Sequence, residues 1–130
     1  MRHTLKKSEI LRGKNSFQLA FTRGKRINGN HLRCLVTTDT DGKTNIRVGF
    51  AVSRIVRRAV DRNRIKRLMR EAYRLHKSIL LLPPNVQTNP LALLFYFYGN
   101  MTGFRKIPTY REIEEDMKNL LQRVAVLNHA

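Results

Sequence analysis

The sequence predicts an α+β fold in one compact domain. Two runs rich in β-formers flank a turn signal in the first half of the chain. Two long stretches repeat apolar residues at helical spacing. A short aromatic run bounded by Pro90 and Gly99 stands between those helices. With 130 residues, 42% of them apolar, the chain is long enough for one real core and too short to expect two. Residues 1–130 are therefore read as a single domain.

In "KNSFQLAFTRG" an Asn15 or Ser16 cap, Gln18 behind it and Gly24 as a left-handed stop argue for a short first helix, with Phe17 and Phe21 on one face. "LRCLVTT" and "TNIRVGFAVS" flank "DTDG", whose Asp41-Gly42 is a hairpin signal, and predict two antiparallel strands. In the second, Ile46, Val48, Phe50 and Val52 share one face. Arg47, Gly49, Ala51 and Ser53 share the other, a polar face of mostly small residues with room for a ligand. A long helix is expected from about Arg57 to Leu81, stopped by Pro83 and Pro84. "LALLFYFYG" at 91–99 reads as a buried strand. The last helix opens on the capping box Thr109-x-x-Glu112 after Pro108 and continues with Ile113, Met117, Leu120, Val124 and Leu127 on its core side. No internal repeat appears, and "PPNVQTNP" is the only linker-like stretch.

The charge is unusual. Twenty-six Lys and Arg stand against nine Asp and Glu, a net +17 and a pI near 11.3. Residues 1–33 and 54–77 each contribute +8, whereas 109–130 sum to −1, so the positive field is local and marks a binding face. Nucleic acid is the leading partner. An anionic membrane is the competing one, but it requires an exposed apolar helix face that a folded domain of this size buries. The start "MRHTLKKSEI" has no apolar signal core, and the 91–99 run falls far short of the ~20 residues of a spanning helix. Cys34, the only cysteine, allows neither an internal disulfide nor a cysteine metal cluster. A cytoplasmic protein with no membrane association is expected.

The long helix concentrates the chemistry. In "DRNRIKRLMREAYRLHK" Ile65, Leu68, Ala72, Leu75 and Ile79 form one stripe. Arg62, Lys66, Arg70 and Arg74 are placed on the opposite side, with Asn63, Arg67 and Lys77 beside them. Cations four apart repel by a few tenths of a kcal/mol per pair, with almost no interleaved acid to offset it. Phosphates supply a reason for the clustering: docked cations release counterions, and guanidiniums fork two hydrogen bonds to phosphate oxygens. Asn63 adds a donor and an acceptor suited to a base edge, a ribose or a helix-fixing contact. A merely solvated basic face is the blander alternative.

Other residues read plainly. Phe17 and Phe21 suit a core as well as a base-stacking platform. Arg64 and Glu71 lie between stripe and cations, where they suit an intramolecular ion-pair system, and Glu71 is equally placed to hold Arg67 four residues before it. The four histidines have no ligand spacing, Cys34 suits a buried strand, and Asp39, Asp41 and Gly42 suit a turn better than a calcium loop. No constellation for nucleophilic, acid–base or phosphate-loop chemistry stands out, so no catalytic or metal-ligating side chain is assigned.

"AVDRNRIKRLMREAYR" resembles the Arg-Asn-Arg signature of the bacterial ribonuclease P protein component, with Arg62-Asn63-Arg64 followed by Lys66-Arg67 and Arg70-Glu71. Phe17-x-x-x-Phe21, "RVGFAVSR" and "TYREIEEDMKNLL" follow the family's order, so the resemblance spans about residues 5–127. It implies an αβββαβα fold similar to ribosomal protein S5 domain 2, with a left-handed βαβ crossover against the general rule. It also implies a small protein subunit whose catalytic RNA partner, using Mg²⁺ bound mainly by that RNA, removes the 5′ leader of precursor tRNA. By this resemblance Arg57, Arg58, Arg62, Asn63, Arg64, Lys66, Arg67, Arg70 and Arg74 grip the RNA subunit, and Phe17, Phe21, Arg47 and Ser53 line the leader cleft. The chain departs from many relatives at "NHLRCL", at "FYFYGN" and in a longer loop "GNMTGFRKIP". A structural ribosomal protein shares the size, basicity and fold. A DNA-binding regulator lacks support, since no leucine zipper follows the helix and no helix-turn-helix partner precedes it; no DNA partner is expected.

Overall fold

The computed structural model describes residues 22, 24–38, 46–80, 91–98 and 108–129. Their order is β1 (Lys25–Asn28), β2 (Leu32–Thr38), β3 (Ile46–Val52), α1 (Ala59–His76) running into a 3₁₀ turn (Lys77–Leu80), β4 (Leu91–Phe97) and α2 (Tyr110–His129). From β1 onward this is the expected βββαβα. The first helix with Phe17 and Phe21, the Asp41-Gly42 turn, the prolines after α1 and nearly all of the 99–108 loop lie outside the described residues.

The sheet order is β1-β2-β4-β3. β4 runs antiparallel to β2 and parallel to β3, so β2 and β3 do point in opposite directions. They are not the hairpin that Asp41-Gly42 suggested, because the later strand β4 lies between them. A local turn signal says nothing of a third strand, far along the chain, that buries more apolar surface in the same slot. The hairpin is instead formed by β1 and β2, and β1, "KRIN", is too short and polar to show a strand pattern.

Central position explains the composition of β4. Leu93, Leu94, Phe95 and Phe97 are all buried, in keeping with a strand that has a neighbour on each side. On one face Leu32, Cys34, Val48, Leu93, Phe95 and Phe97 pack against Ile65, Met69, Ala72 and Tyr73 of α1 and Ile113, Met117, Leu120, Leu121 and Val124 of α2. On the other, Leu35 and Leu94 are buried with Ala51 against them. Ile46, Phe50 and Val52 also pack on the helix side, as the strand alternation requires. The α1 stripe sits further round than expected: Met69 and Tyr73 are fully engaged, while Leu68 and Leu75 are half-buried. Tyr73 joins Phe50 and Phe95 in an aromatic cluster with ring centroids 5.8–6.1 Å apart, which draws that side of the helix inward.

Helix α2 begins with the predicted capping box, Thr109 N–H donating to Glu112 Oε1 at 3.1 Å and Glu112 N–H to Thr109 Oγ1 at 3.3 Å. One turn further on stands Asp116, the one buried charged residue among the described residues. Its carboxylate accepts the backbone N–H groups of Asn30, His31 and Leu32 at 2.8, 2.8 and 2.7 Å. The β1–β2 turn thus closes over an anion supplied by a helix far along the chain. Gly29 makes the approach possible, since a Cβ there would lie 2.5 Å from Asp116 Oδ1. The Tyr98 hydroxyl donates to Gly29 O from the far side. Arg123 Nη1 donates to Asn28 O at 2.7 Å, so α2 holds this hairpin at two points.

A candidate nucleic-acid interface

Strand β3 leads into α1 through residues 53–58, and this turn is closely tied. Ser53 N–H donates to Phe97 O at 2.9 Å, Val56 N–H to Ser53 O at 3.1 Å and Ile55 N–H to Ser53 Oγ at 3.2 Å. Ser53 therefore organises the turn with the hydroxyl that the sequence offered to a cleft. Arg62 reaches back from the first turn of α1, and its Nη1 donates to Val56 O at 2.8 Å and Arg57 O at 2.7 Å. It is half-buried rather than on the outer side. At ~100° per residue, a position three before Ile65 lies within about a sixth of a turn of the core stripe, so the motif's first arginine braces the turn.

The remaining cations stand outward. Arg57, Arg58, Arg64, Lys66, Arg67 and Arg70 are exposed, as is Asn63. Among the described residues no carboxylate pairs with any of these six cations. Arg54 joins them, exposed at the mouth of the turn; its position just before the basic run was the sequence signal for it. Ile55 and Val60 are also exposed, by 59% and 61%, and give the ridge an apolar contact surface beside its charges. Arg74 differs: Glu71, three residues before it, binds it through Nε at 3.2 Å and through Nη2. Glu71 thus holds Arg74 rather than Arg67. The hydrogen bond from Arg74 keeps the Glu71 carboxyl below its usual range, and Glu71 raises the guanidinium in turn.

The second sheet face contains the other candidate. Register places Arg47 beside Ala92, Gly49 beside Leu94 and Ala51 beside Tyr96. On β4's other side Tyr96 faces Arg33 and Leu94 faces Leu35. Arg33 also lies 5.1 Å from the Tyr98 ring centroid and donates from Nε to Asn28 Oδ1 at 2.8 Å. Arg33, Tyr96 and Tyr98 were missed as site residues, although they lie within the two stretches where the chain departs from its relatives. Their convergence depends on β4 pairing with β2, which no local pattern reveals. Of the four expected cleft residues, Arg47 and Ser53 are described.

Burial pushes the Cys34 thiol far up, which holds it as an inert thiol. His31 lies 3.4 Å from Glu112, and His76 lies 2.9 Å from Glu114. No group of three His, Cys, Asp or Glu among the described residues is placed to hold a metal ion. No helix among them is long and apolar enough to cross a membrane.

A four-stranded sheet with a cationic ridge on its crossover helix defines the class, a small basic α+β protein. Comparison with known proteins narrows it. The ribonuclease P family model matches residues 5–125. The ribonuclease P protein component of Chlorobaculum tepidum is 36% identical over 129 residues, covering 92% of this chain and 84% of that one. That of Clostridium novyi is 33% identical over 124 residues, covering 95% and 100%. The RNase P protein structure from Thermotoga maritima superposes with a TM-score of 0.69 at 25% identity over 88% of this chain and 96% of that one. The Staphylococcus aureus RNase P protein shares the fold at TM-score 0.69 and 20% identity, covering 92% and 98%. The chain belongs to the ribonuclease P protein family, the protein components of an RNA-dependent, tRNA-processing endoribonuclease.

Proposed function

We propose that this chain, acting as one RNA-binding domain in the cytoplasm, binds the catalytic RNA of ribonuclease P through the outer face of α1 and guides the 5′ leader of precursor tRNA along the second sheet face. The observation that carries this is the row of exposed cations at Arg57, Arg58, Arg64, Lys66, Arg67 and Arg70, none of them paired with a carboxylate among the described residues. Such an array is a standing electrostatic cost that a phosphate backbone relieves. Asn63 contributes a hydrogen-bonding pair within the array. Arg62 positions the turn that presents Arg54, Arg57 and Arg58, and Arg74 is shared with Glu71.

Across the second face, the half-buried Arg47, Ala51 and Arg33–Tyr96 pair offer phosphate contacts, a small residue and an aromatic surface for an unpaired strand. Phe17 and Phe21 are proposed to line the same cleft. Mg²⁺, held mainly by the RNA subunit, supplies the activated water and stabilises the leaving oxygen when bound. The protein's cations reduce repulsion between the catalytic RNA and its substrate, which lowers the Mg²⁺ needed to hold them together. The test is leader cleavage by the catalytic RNA at low Mg²⁺ with and without this chain. A large increase in rate is expected, and an unchanged rate would refute the assignment.

A further inference from the structure

A groove of about 430 Å³ opens between strand β1 and the second half of α2, at the opposite sheet edge from β3. Its floor is Ile27, buried, and its far wall is Val126, 70% exposed. Lys25, Arg26 and Arg123 stand at its rim, with Gln122 and Asn119 between them. Among the described residues no acid lines it. The acids nearest on α2 are engaged elsewhere: Asp116 by the three turn amides and Glu115 by Arg111 at 3.8 Å. Arg123 is fixed in place by Asn28 O, so one cation of the rim is already oriented before any ligand arrives.

An apolar floor, two neutral amides and three cations are the chemistry of a site for an unpaired nucleotide. The base covers Ile27 and Val126, the amides meet its edge, and the rim takes the flanking phosphates. The groove opens on the helix side of the sheet, where Ile27 packs with α2, and is reached round the β1 edge from the second sheet face. Arg26 projects from that face in register with Leu35, Asn28 with Arg33, and Arg33 with Tyr96. A strand entering at Arg47 crosses four strands spaced ~4.8 Å apart, about 14 Å in all, and meets Arg26 at the edge.

We infer that the β1–α2 groove receives the upstream part of the single-stranded 5′ leader after it has crossed the sheet. This rests on the leader path proposed above. Two precursor tRNAs test it in the assembled holoenzyme, one with a leader too short to pass β2 and one several nucleotides longer. The variants are Arg26→Glu and Val126→Asp, both at exposed positions whose side chains form no hydrogen bond or ion pair among the described residues. Each is expected to weaken binding of the long-leader precursor about five- to tenfold, the scale of one lost stacked base with its phosphate. Binding of the short-leader precursor and of the catalytic RNA should stay unchanged. Equal loss for both precursors, or loss of catalytic-RNA binding, would overturn the leader assignment and make the groove a contact to the catalytic RNA or a fold element. No loss for either precursor would overturn the site altogether. If leader length has no effect even in the unmutated holoenzyme, the leader path fails as well, a result separate from failure of the groove alone.

Discussion

Replacing Asp116 with Asn keeps the side chain's shape and removes its charge together with one of its two acceptor oxygens. Three backbone N–H groups at 2.7–2.8 Å share that carboxylate. An amide oxygen can keep one or two of them, while its NH₂ group faces the rest as donor against donor. Hydrogen bonds to a charged group contribute ~1.5–3 kcal/mol each, and an unsatisfied buried donor costs about 1–3 kcal/mol. Losing one such bond outright and weakening the others puts the expected destabilisation at about 3 kcal/mol. At an unfolding entropy of ~2.1 cal/mol/K per residue, that is a fall in Tm on the order of 10 °C. Urea titration followed by circular dichroism measures the first quantity. Hydrogen exchange at Asn30, His31 and Leu32 reports whether the turn has opened. A loss below about 1 kcal/mol with those amides still protected would show that something other than the Asp116 carboxylate holds the turn closed.

Three further outcomes follow from the site. Arg67→Ala should reduce the salt dependence of binding to the catalytic RNA by about one unit in the log–log slope, measured by filter binding across a salt series; an unchanged slope would place that side chain away from phosphate. Arg62→Ala should instead leave the slope unchanged while destabilising the free protein by about 1–2 kcal/mol through two lost bonds to backbone carbonyls. Faster amide exchange across residues 53–58 is the accompanying sign, and a flattened slope would return Arg62 to the interface. Glu114, held below its ordinary value of 4.5 chiefly by its hydrogen bond from His76, has a depressed folded-state pKa. Its contribution is thus present above about 4.5 and lost as pH falls through the folded value. The stability gap between the parent chain and Glu114→Gln should close on acidification through that window; a gap independent of pH would discount the pair.

The ridge and the core helices were legible because both depend on spacing within one element. Cations recurring along α1, apolar residues along α2 and the Thr109–Glu112 cap are local patterns, and the structure realises each of them. What was not legible depends on partners far apart in the chain. The pairing of β4 between β2 and β3, the capture of residues 30–32 by Asp116 and the approach of Arg33 to Tyr96 each join segments separated by at least one whole helix. Asp116 is the plainest case: within "REIEEDMKN" it reads as one of several surface acids. Arg62 was misplaced on the outer side for a related reason. Its motif emphasised charge, whereas its angular position on α1 and the free carbonyls of the preceding turn decide where it goes. Phe17 and Phe21 lie outside the described residues.

The place of β4 also bears on how the chain is made. A ribosome delivers β2 and β3 well before the strand that joins them, and it delivers the cationic helix before the central strand on which its βαβ unit closes. Until Leu91–Phe97 emerges, β3 has no neighbour in the completed sheet order, and the apolar side of α1 lacks Phe95 and Phe97. The cationic side of α1 is thus made before its apolar side has all of its cover. Completion waits on that heptapeptide and on α2 behind it, which brings Ile113, Met117, Leu120, Leu121 and Val124 to the core.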